Sequence, residues 1–211
     1  DPLMRVGRQV TEVLRKRLGW GKEKSRESAL AQLEKYGLAD PIRVYSSHPH
    51  QLSGGMAQRV MAAMMALPSP EWLIADEPTK GLDPLVRKQV ADMFLQIKKD
   101  GKGMLLITHD LALAERLADR VVVLYAGEIL EHGSTEDIFK NPQHPYTRGL
   151  LAAAPSRGLH PIPGNPPDLS RLEDGCIFRK RCALCRKGCE RRQTMKKVGE
   201  GHFVKCGGQS D

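Results

Sequence analysis

No stretch of this 211-residue chain approaches the roughly 18 consecutive apolar residues that a membrane-spanning helix needs, so no segment reads as one. No secretory signal opens the sequence, and Asp1-Pro2 is not a natural start, which predicts an internal cut. The first 175 residues contain no cysteine; all five, Cys176, Cys182, Cys185, Cys189 and Cys206, lie in the tail. An odd, clustered set without a secretion signal argues against a disulfide framework and for a metal site. Internal repeats are also absent. The composition, 40% hydrophobic and 27% charged, fits a globular chain. Its net charge of +8 is uneven: residues 155–211 hold 12 Lys or Arg against 6 Asp or Glu, the other residues 21 against 19. Such a tail suits nucleic acid, anionic lipid, an acidic partner, or simply a solvated basic surface.

The apolar spacing predicts an opening helical unit. Val10, Val13, Leu14 and Leu18 share one face over residues 8–19, and Ala29, Leu30, Leu33 and Tyr36 repeat the pattern before Gly37. Ser53 reads as the N-cap of a helix that Pro68 and Pro70 end. Trp72–Ala75 reads as a buried strand ending in Asp76 and Glu77, and Met104–Ile107 as a second strand ending at Thr108-His109, with a helix over residues 84–99 between them. A helix at residues 111–118 and a hairpin of residues 121–125 and 128–131 follow. Strands alternating with helices indicate an α/β fold. From Pro155 onward the chain is rich in Pro, Gly, Cys and basic residues, a composition that predicts no ordinary hydrophobic core.

Four motifs carry the chemistry. Leu52-Ser53-Gly54-Gly55-Met56-Ala57-Gln58-Arg59 opens a helix with a hydroxyl and two glycines, where free N–H groups and the helix dipole favour an anion. Leu73-Ile74-Ala75-Asp76-Glu77-Pro78-Thr79, Gly81-Leu82-Asp83 and Thr108-His109-Asp110 follow in that order. Each alone has an ordinary explanation: a helix cap, a solvated strand end, a surface histidine. The ordered set is specific.

With these residues the chain resembles the ATP-binding cassette (ABC) family: Leu52–Arg59 its signature motif, Asp76-Glu77 its Walker B end, Gly81–Asp83 its D-loop and His109 its switch histidine. The resemblance implies a partial P-loop NTPase fold of α/β class, with a helical subdomain at residues 1–51, a motif-bearing core at 52–131 and a C-terminal extension at 132–211. It implies Glu77 and His109 as catalytic residues, with Ser53, Gly54, Gly55, Gln58, Asp76 and Asp83 binding ATP and Asp76 holding Mg²⁺. Mg²⁺ prefers oxygen ligands, a base beside it can orient water, and catalysis is then positioning and charge stabilisation. Two family elements are absent: no Gly-x-x-x-x-Gly-Lys-Ser/Thr loop and no glutamine-bearing loop occur in these residues, so the chain alone is expected to lack a complete ATP site and activity.

Pro49-His50-Gln51, Asn141-Pro142-Gln143-His144-Pro145-Tyr146-Thr147-Arg148-Gly149-Leu150-Leu151 and Ile162-Pro163-Gly164-Asn165-Pro166-Pro167-Asp168-Leu169, then Gly175–Cys182, resemble the oligopeptide, dipeptide and nickel importer branch. That branch implies a homo- or heterodimer of ATPases on two permease subunits at the cytoplasmic face of the membrane. An extracytoplasmic substrate-binding protein feeds it, and no specific nucleic acid takes part. Residues 8–36 would lie near the permease. Similar proteins place four cysteines where Cys176, Cys182, Cys189 and Cys206 stand, some with a [4Fe–4S] cluster; Cys185 is extra, and Cys182-x₂-Cys185 is a common zinc spacing. Cluster, zinc and unliganded thiols remain open. So do two other functions: an ABC ATPase acting on nucleic acid or the ribosome, and a stand-alone metal or redox protein built on the tail.

Overall fold

A computed structural model of the chain describes residues 1–171 and 174–207. It divides into two compact units, Asp1–Leu113 and Ala114–Asp211, a different place from the expected boundaries after residues 51 and 131.

The first unit holds α1 (Val6–Arg17), α2 (Lys22–Lys35), α3 (Pro41–Ser46), α4 (Gly54–Ala66), β1 (Trp72–Asp76), α5 (Pro84–Lys99) and β2 (Gly103–Ile107). Val10 and Leu14 of α1 and Ala29 and Leu33 of α2 are fully buried, as the helical spacing requires. Leu18 departs from its predicted face: it lies past the end of α1 and is half exposed. The helical subdomain expected over residues 1–51 does not form a compact unit of its own. Instead α1 and α2 pack on α3 and α4 within this unit. Arg59 of α4 adds a polar tie by donating to the Gly37 carbonyl at 2.7 Å, just past α2.

β1 and β2 pair in parallel, Trp72 opposite Gly103 and Asp76 opposite Ile107. Gly103 fits this register because a Cβ there would lie 2.7 Å from the Trp72 indole. The expectation of a buried β1 holds for one face only. Leu73 and Ala75 are buried, while Trp72 and Ile74, with Leu105 and Ile107 on β2, are exposed. Parallel sheets are ordinarily covered on both faces; here alternation along the strand leaves one apolar face bare.

The second unit holds α6 (Leu111–Leu117) at its junction, then β3 (Arg120–Tyr125), β4 (Glu128–Ser134), α7 (Thr135–Lys140), α8 (Pro145–Ala152), β5 (Lys196–Gly199) and β6 (His202–Val204). Its antiparallel sheet runs β3-β4-β6-β5. The hairpin turn at Ala126-Gly127 has positive φ at both residues, 49° and 82°, which matches the twist of the strands it joins. α7 is closed by a reciprocal Ser134–Asp137 capping box.

The tail does build a core, against expectation. Phe178 is buried against Tyr125 and Leu130, with Tyr146, Ile162 and Ile177 around them. Tyr125 meets Tyr146 and Phe178 at ring-centroid distances of 4.6 and 5.4 Å. Arg181 clamps the Pro-rich segment, donating to the carbonyls of Ile162 at 3.0 Å and Pro163 at 2.9 Å and to the Tyr125 hydroxyl at 3.3 Å. β6 then joins the sheet through Glu131–Val204 and His132–Phe203.

Candidate functional site

The chemistry-bearing residues gather at three places. The first is the N-terminus of α4. Ser53 is its N-cap, and its Oγ accepts from the Met56 N–H at 3.3 Å. A Cβ on Gly54 would meet nothing, so packing does not demand glycine there; its absence leaves the backbone N–H groups open to a ligand. Ser53, Gly54, Gly55 and Arg59 line a groove of about 390 Å³ with Gly81 and Asp83. The turn at Ser53–Gly55 and the loop at Gly81–Asp83 therefore share one surface. Asp83 is already engaged, since its Oδ1 caps α5 by accepting from the N–H groups of Leu85 and Val86, each at 3.0 Å. Gln58 does not line this groove.

The second place is the carboxyl end of the parallel pair. Asp76 closes β1 and is exposed. Glu77 follows with φ of 46°, a left-handed conformation that is costly for a residue with a side chain and recurs at functional sites. Its N–H donates to Ile107 at 2.8 Å, which extends the ladder one residue and fixes the turn. Glu77 Oε1 accepts from the His109 N–H at 3.2 Å, and His109 Nδ1 stands 2.7 Å from Glu77 Oε2. The second contact is an ion-pair distance outside hydrogen-bond geometry. Next to it Thr79 Oγ1 donates to Asp110 Oδ2 at 3.3 Å, while Asp110 Oδ1 accepts from Leu113 N–H at 3.1 Å at the start of α6. Glu77 and His109 thus meet each other but not the groove at Ser53. The two clusters are separate.

The third place is in the second unit. Cys176, Cys182, Cys189 and Cys206 line one cavity of about 270 Å³ with His144, Arg148 and Phe178; Cys185 is exposed and does not. None of the five is disulfide-bonded. Backbone links draw the loop together: Cys176 N–H donates to the Cys189 carbonyl at 2.8 Å, and Gly175 just before it has φ of 100°, where a Cβ would fall 2.6 Å from that same carbonyl oxygen. Burial pushes the Cys176 and Cys182 thiols up, and the neighbouring cysteines add to it, while the N–H groups of Phe178 and Leu184 pull the other way. Among the described residues no group of three or more His, Cys, Asp or Glu stands close enough to grip a single metal ion.

Sequence reasoning gave no role to Glu131, His144 or His202. Glu131 is fully buried; its Oε1 accepts from the Gln143 N–H at 2.6 Å and from His202 Nε2 at 2.8 Å, and its Oε2 from the His144 N–H at 2.9 Å. A carboxylate facing inward from a strand was the available signal, since buried charges must be paired. His144 caps α8: its Nδ1 accepts from the Tyr146 N–H at 3.0 Å, and burial lowers its pKa to about 4.

Two family models match the chain, one described as ABC transporter over residues 2–80, the other as oligopeptide/dipeptide transporter, C-terminal region, over residues 130–189. The chain is similar to the oligopeptide transport ATP-binding protein of Lactococcus lactis subsp. cremoris, 40% identical over 97% of this chain and 63% of that protein. Two Bacillus subtilis proteins are similar in the same way: the dipeptide transport ATP-binding protein, 40% identical over 98% of this chain and 64% of its own, and the oligopeptide transport ATP-binding protein, 41% over 97% and 60%. The chain thus spans less than two thirds of the length of these relatives. Among solved structures, the dimeric MJ0796 bacterial ABC transporter cassette aligns with a TM-score of 0.55 and 29% identity, over 64% of this chain and 58% of that one.

Proposed function

We propose, for a chain that belongs to the ABC transporter family and carries its oligopeptide/dipeptide transporter C-terminal region, that the complete protein is the ATP-hydrolysing subunit of a peptide importer. The observation that carries this reading is the pairing of Glu77 with His109 at the carboxyl ends of adjacent parallel strands. A carboxylate fixed by a backbone N–H and an imidazole can orient and deprotonate an attacking water, with the imidazole facing the γ-phosphate. Asp76, exposed at the same strand end, offers the hard oxygen that Mg²⁺ requires; the ion would offset phosphate charge there. Ser53, Gly54 and Gly55 would hold the γ-phosphate of an ATP carried by a second subunit, because their groove lies apart from Glu77. That division of labour explains why two half-sites in one chain serve two composite sites in a dimer. Asp83 is assigned a supporting place beside the phosphate through the start of α5 that it caps, and Gln58 one on α4 outside the groove.

The subunit would sit peripherally on the cytoplasmic face of the membrane, docked through residues 8–36 on a permease fed by a substrate-binding protein. The bare apolar face of Trp72, Ile74, Leu105 and Ile107 is where further strands of a complete cassette would pack. These 211 residues, without a phosphate loop, would not hydrolyse ATP alone. Oligopeptides or dipeptides rather than nickel are the assigned cargo, in keeping with the relatives' names.

The four cavity cysteines fit a [4Fe–4S] cluster better than one zinc ion. A cubane holds its four thiolates farther apart than a single tetrahedral ion does, and the thiols share a cavity without converging on a point. Such a group would brace a tail whose own core is small. Arg148, on the cavity wall, would offset thiolate charge.

Vesicles containing the permease and the complete subunit test the transport reading. ATP hydrolysis stimulated by peptide and binding protein, with uptake of that peptide, is the expected result. Hydrolysis stimulated only by ribosomes or DNA would overturn it.

A further inference from the structure

His144 lines the cysteine cavity and carries a buried ring N–H with no partner of full hydrogen-bond geometry, and we propose that this group donates a hydrogen bond to a sulfur atom of an iron–sulfur cluster held there. The inference rests on the cluster assignment above and adds a residue to it.

The orientation of the ring is set from two directions. The His144 backbone N–H is bound by the buried carboxylate of Glu131 at 2.9 Å. Its Nδ1 accepts the Tyr146 N–H at 3.0 Å as the cap of α8, with Pro145 at the first helical position. The side chain is 1% exposed, and the Phe178 ring centroid lies 5.9 Å from its own. A ring so held cannot turn to exchange its nitrogens without losing the cap.

The tautomer follows from the cap. A backbone N–H can donate only to an unprotonated Nδ1. Burial keeps the ring neutral, so the single ring proton sits on Nε2. That Nε2 is buried and has no partner of full hydrogen-bond geometry; the Lys205 carbonyl acts on the ring as a weak acceptor only. Buried donors without partners are rare because each forgoes its bond to water and gains none in return. The residue lines the cavity that Cys176, Cys182, Cys189 and Cys206 also line. The residue with the underused donor and the four cysteines therefore border one space, and a sulfur acceptor there would satisfy the donor.

The same geometry excludes a ligand role. To bind iron through Nε2 the ring would have to move its proton to Nδ1, where it would meet the Tyr146 N–H head-on. His144 is thus a positioning and tuning residue. Hydrogen bonds to the sulfurs help set the reduction potential of a cluster, and removing a donor disfavours the more negative, reduced state.

The test uses the full chain, reconstituted anaerobically with iron and sulfide. His144→Asn retains a side-chain oxygen that can cap α8 but is too short to present the donor; His144→Gln places an amide N–H near the position of Nε2. Both variants are expected to carry the same iron and sulfide as the parent. In a redox titration followed by electron paramagnetic resonance, His144→Asn should titrate at a more negative potential and His144→Gln near the parent. In parent protein labelled with ¹⁵N-histidine, the reduced cluster should show one coupled histidine nitrogen and an exchangeable proton. This measurement needs no variant to fold. Equal potentials in parent and His144→Asn with full iron content, or no coupled nitrogen in the labelled parent, would overturn the role of His144 and leave the cluster standing. A parent chain that takes up no iron would overturn both.

Discussion

His109 Nδ1 stands 2.7 Å from Glu77 Oε2 while the His109 backbone N–H holds Glu77 Oε1 at 3.2 Å, so one residue faces both oxygens of the carboxylate. The contact spans the ends of β1 and β2 and depends on their parallel register. Glu77→Gln in the complete subunit keeps the shape but loses the base. It should lower ATP turnover by about 10²–10⁴-fold while ATP still binds and the dimer persists in the ATP-bound form. Steady-state ATPase and size-exclusion profiles with ATP check this; parent-like turnover would remove Glu77 from the mechanism.

Ser53 has two duties that substitutions can separate. As the cap of α4 it is worth about 1 kcal/mol, so Ser53→Ala should lower the melting temperature of the chain by about 2–4 °C. Ser53→Arg should cost little more in stability but fill the groove beside Gly81 and Asp83, abolishing ATP-driven dimerisation in the complete subunit. A Ser53→Arg protein that still dimerises with ATP would show that the groove takes no phosphate.

Tyr36 gives an alkaline signature. Burial, with a smaller push from the Asp100 charge, raises its phenol to about 12. The unfolded chain ionises near pH 10, so between pH 10 and 12 the native state holds the proton that the unfolded state has lost, and stability falls as pH rises through that window. The full effect is about 2 kcal/mol, allowing for partial solvation of the ring. Tyr36→Phe should remove that share of the alkaline decline, measured as urea midpoints of both proteins from pH 9 to 12.

The sequence made the elements around Ser53, Asp76 and Asp83 legible because their signals are local. Ser53 as a cap, Pro84–Lys99 as a helix and two strands ending in Asp76 and Ile107 each follow from neighbours a few residues away. The exposed face of β1 was not legible, since Trp72 and Ile74 are as apolar as the buried Leu73. The tail was misread for the opposite reason. Its anchor is a single residue, Phe178, that packs on Tyr125 and Leu130 far upstream, and its last strand has only three residues, too short for any periodicity. The cysteines were visible as a set, and the cavity separates Cys185 from the other four, which spacing alone could not do.

Glu131 is the residue whose loss should cost most among those without a catalytic role. It is fully buried, and it accepts from the Gln143 N–H, the His144 N–H and His202 Nε2 at 2.6, 2.9 and 2.8 Å. These bonds join β4 to the turn before α8 and to β6, the strand that closes the tail onto the sheet. Glu131→Ala would leave three buried donors unsatisfied and a cavity beside them, a loss of about 3–5 kcal/mol. For a chain of this size that is a fall in melting temperature on the order of 10 °C. Glu131→Gln keeps the volume and one acceptor oxygen but turns an N–H₂ toward a donor, so its melting temperature should fall between the two. Hydrogen exchange should localise the damage, with the amides of Gln143, His144 and Val204 losing protection while those of α1 and α2 do not. Uniform loss across both units, or no loss, would show that this carboxylate is not what fastens the tail.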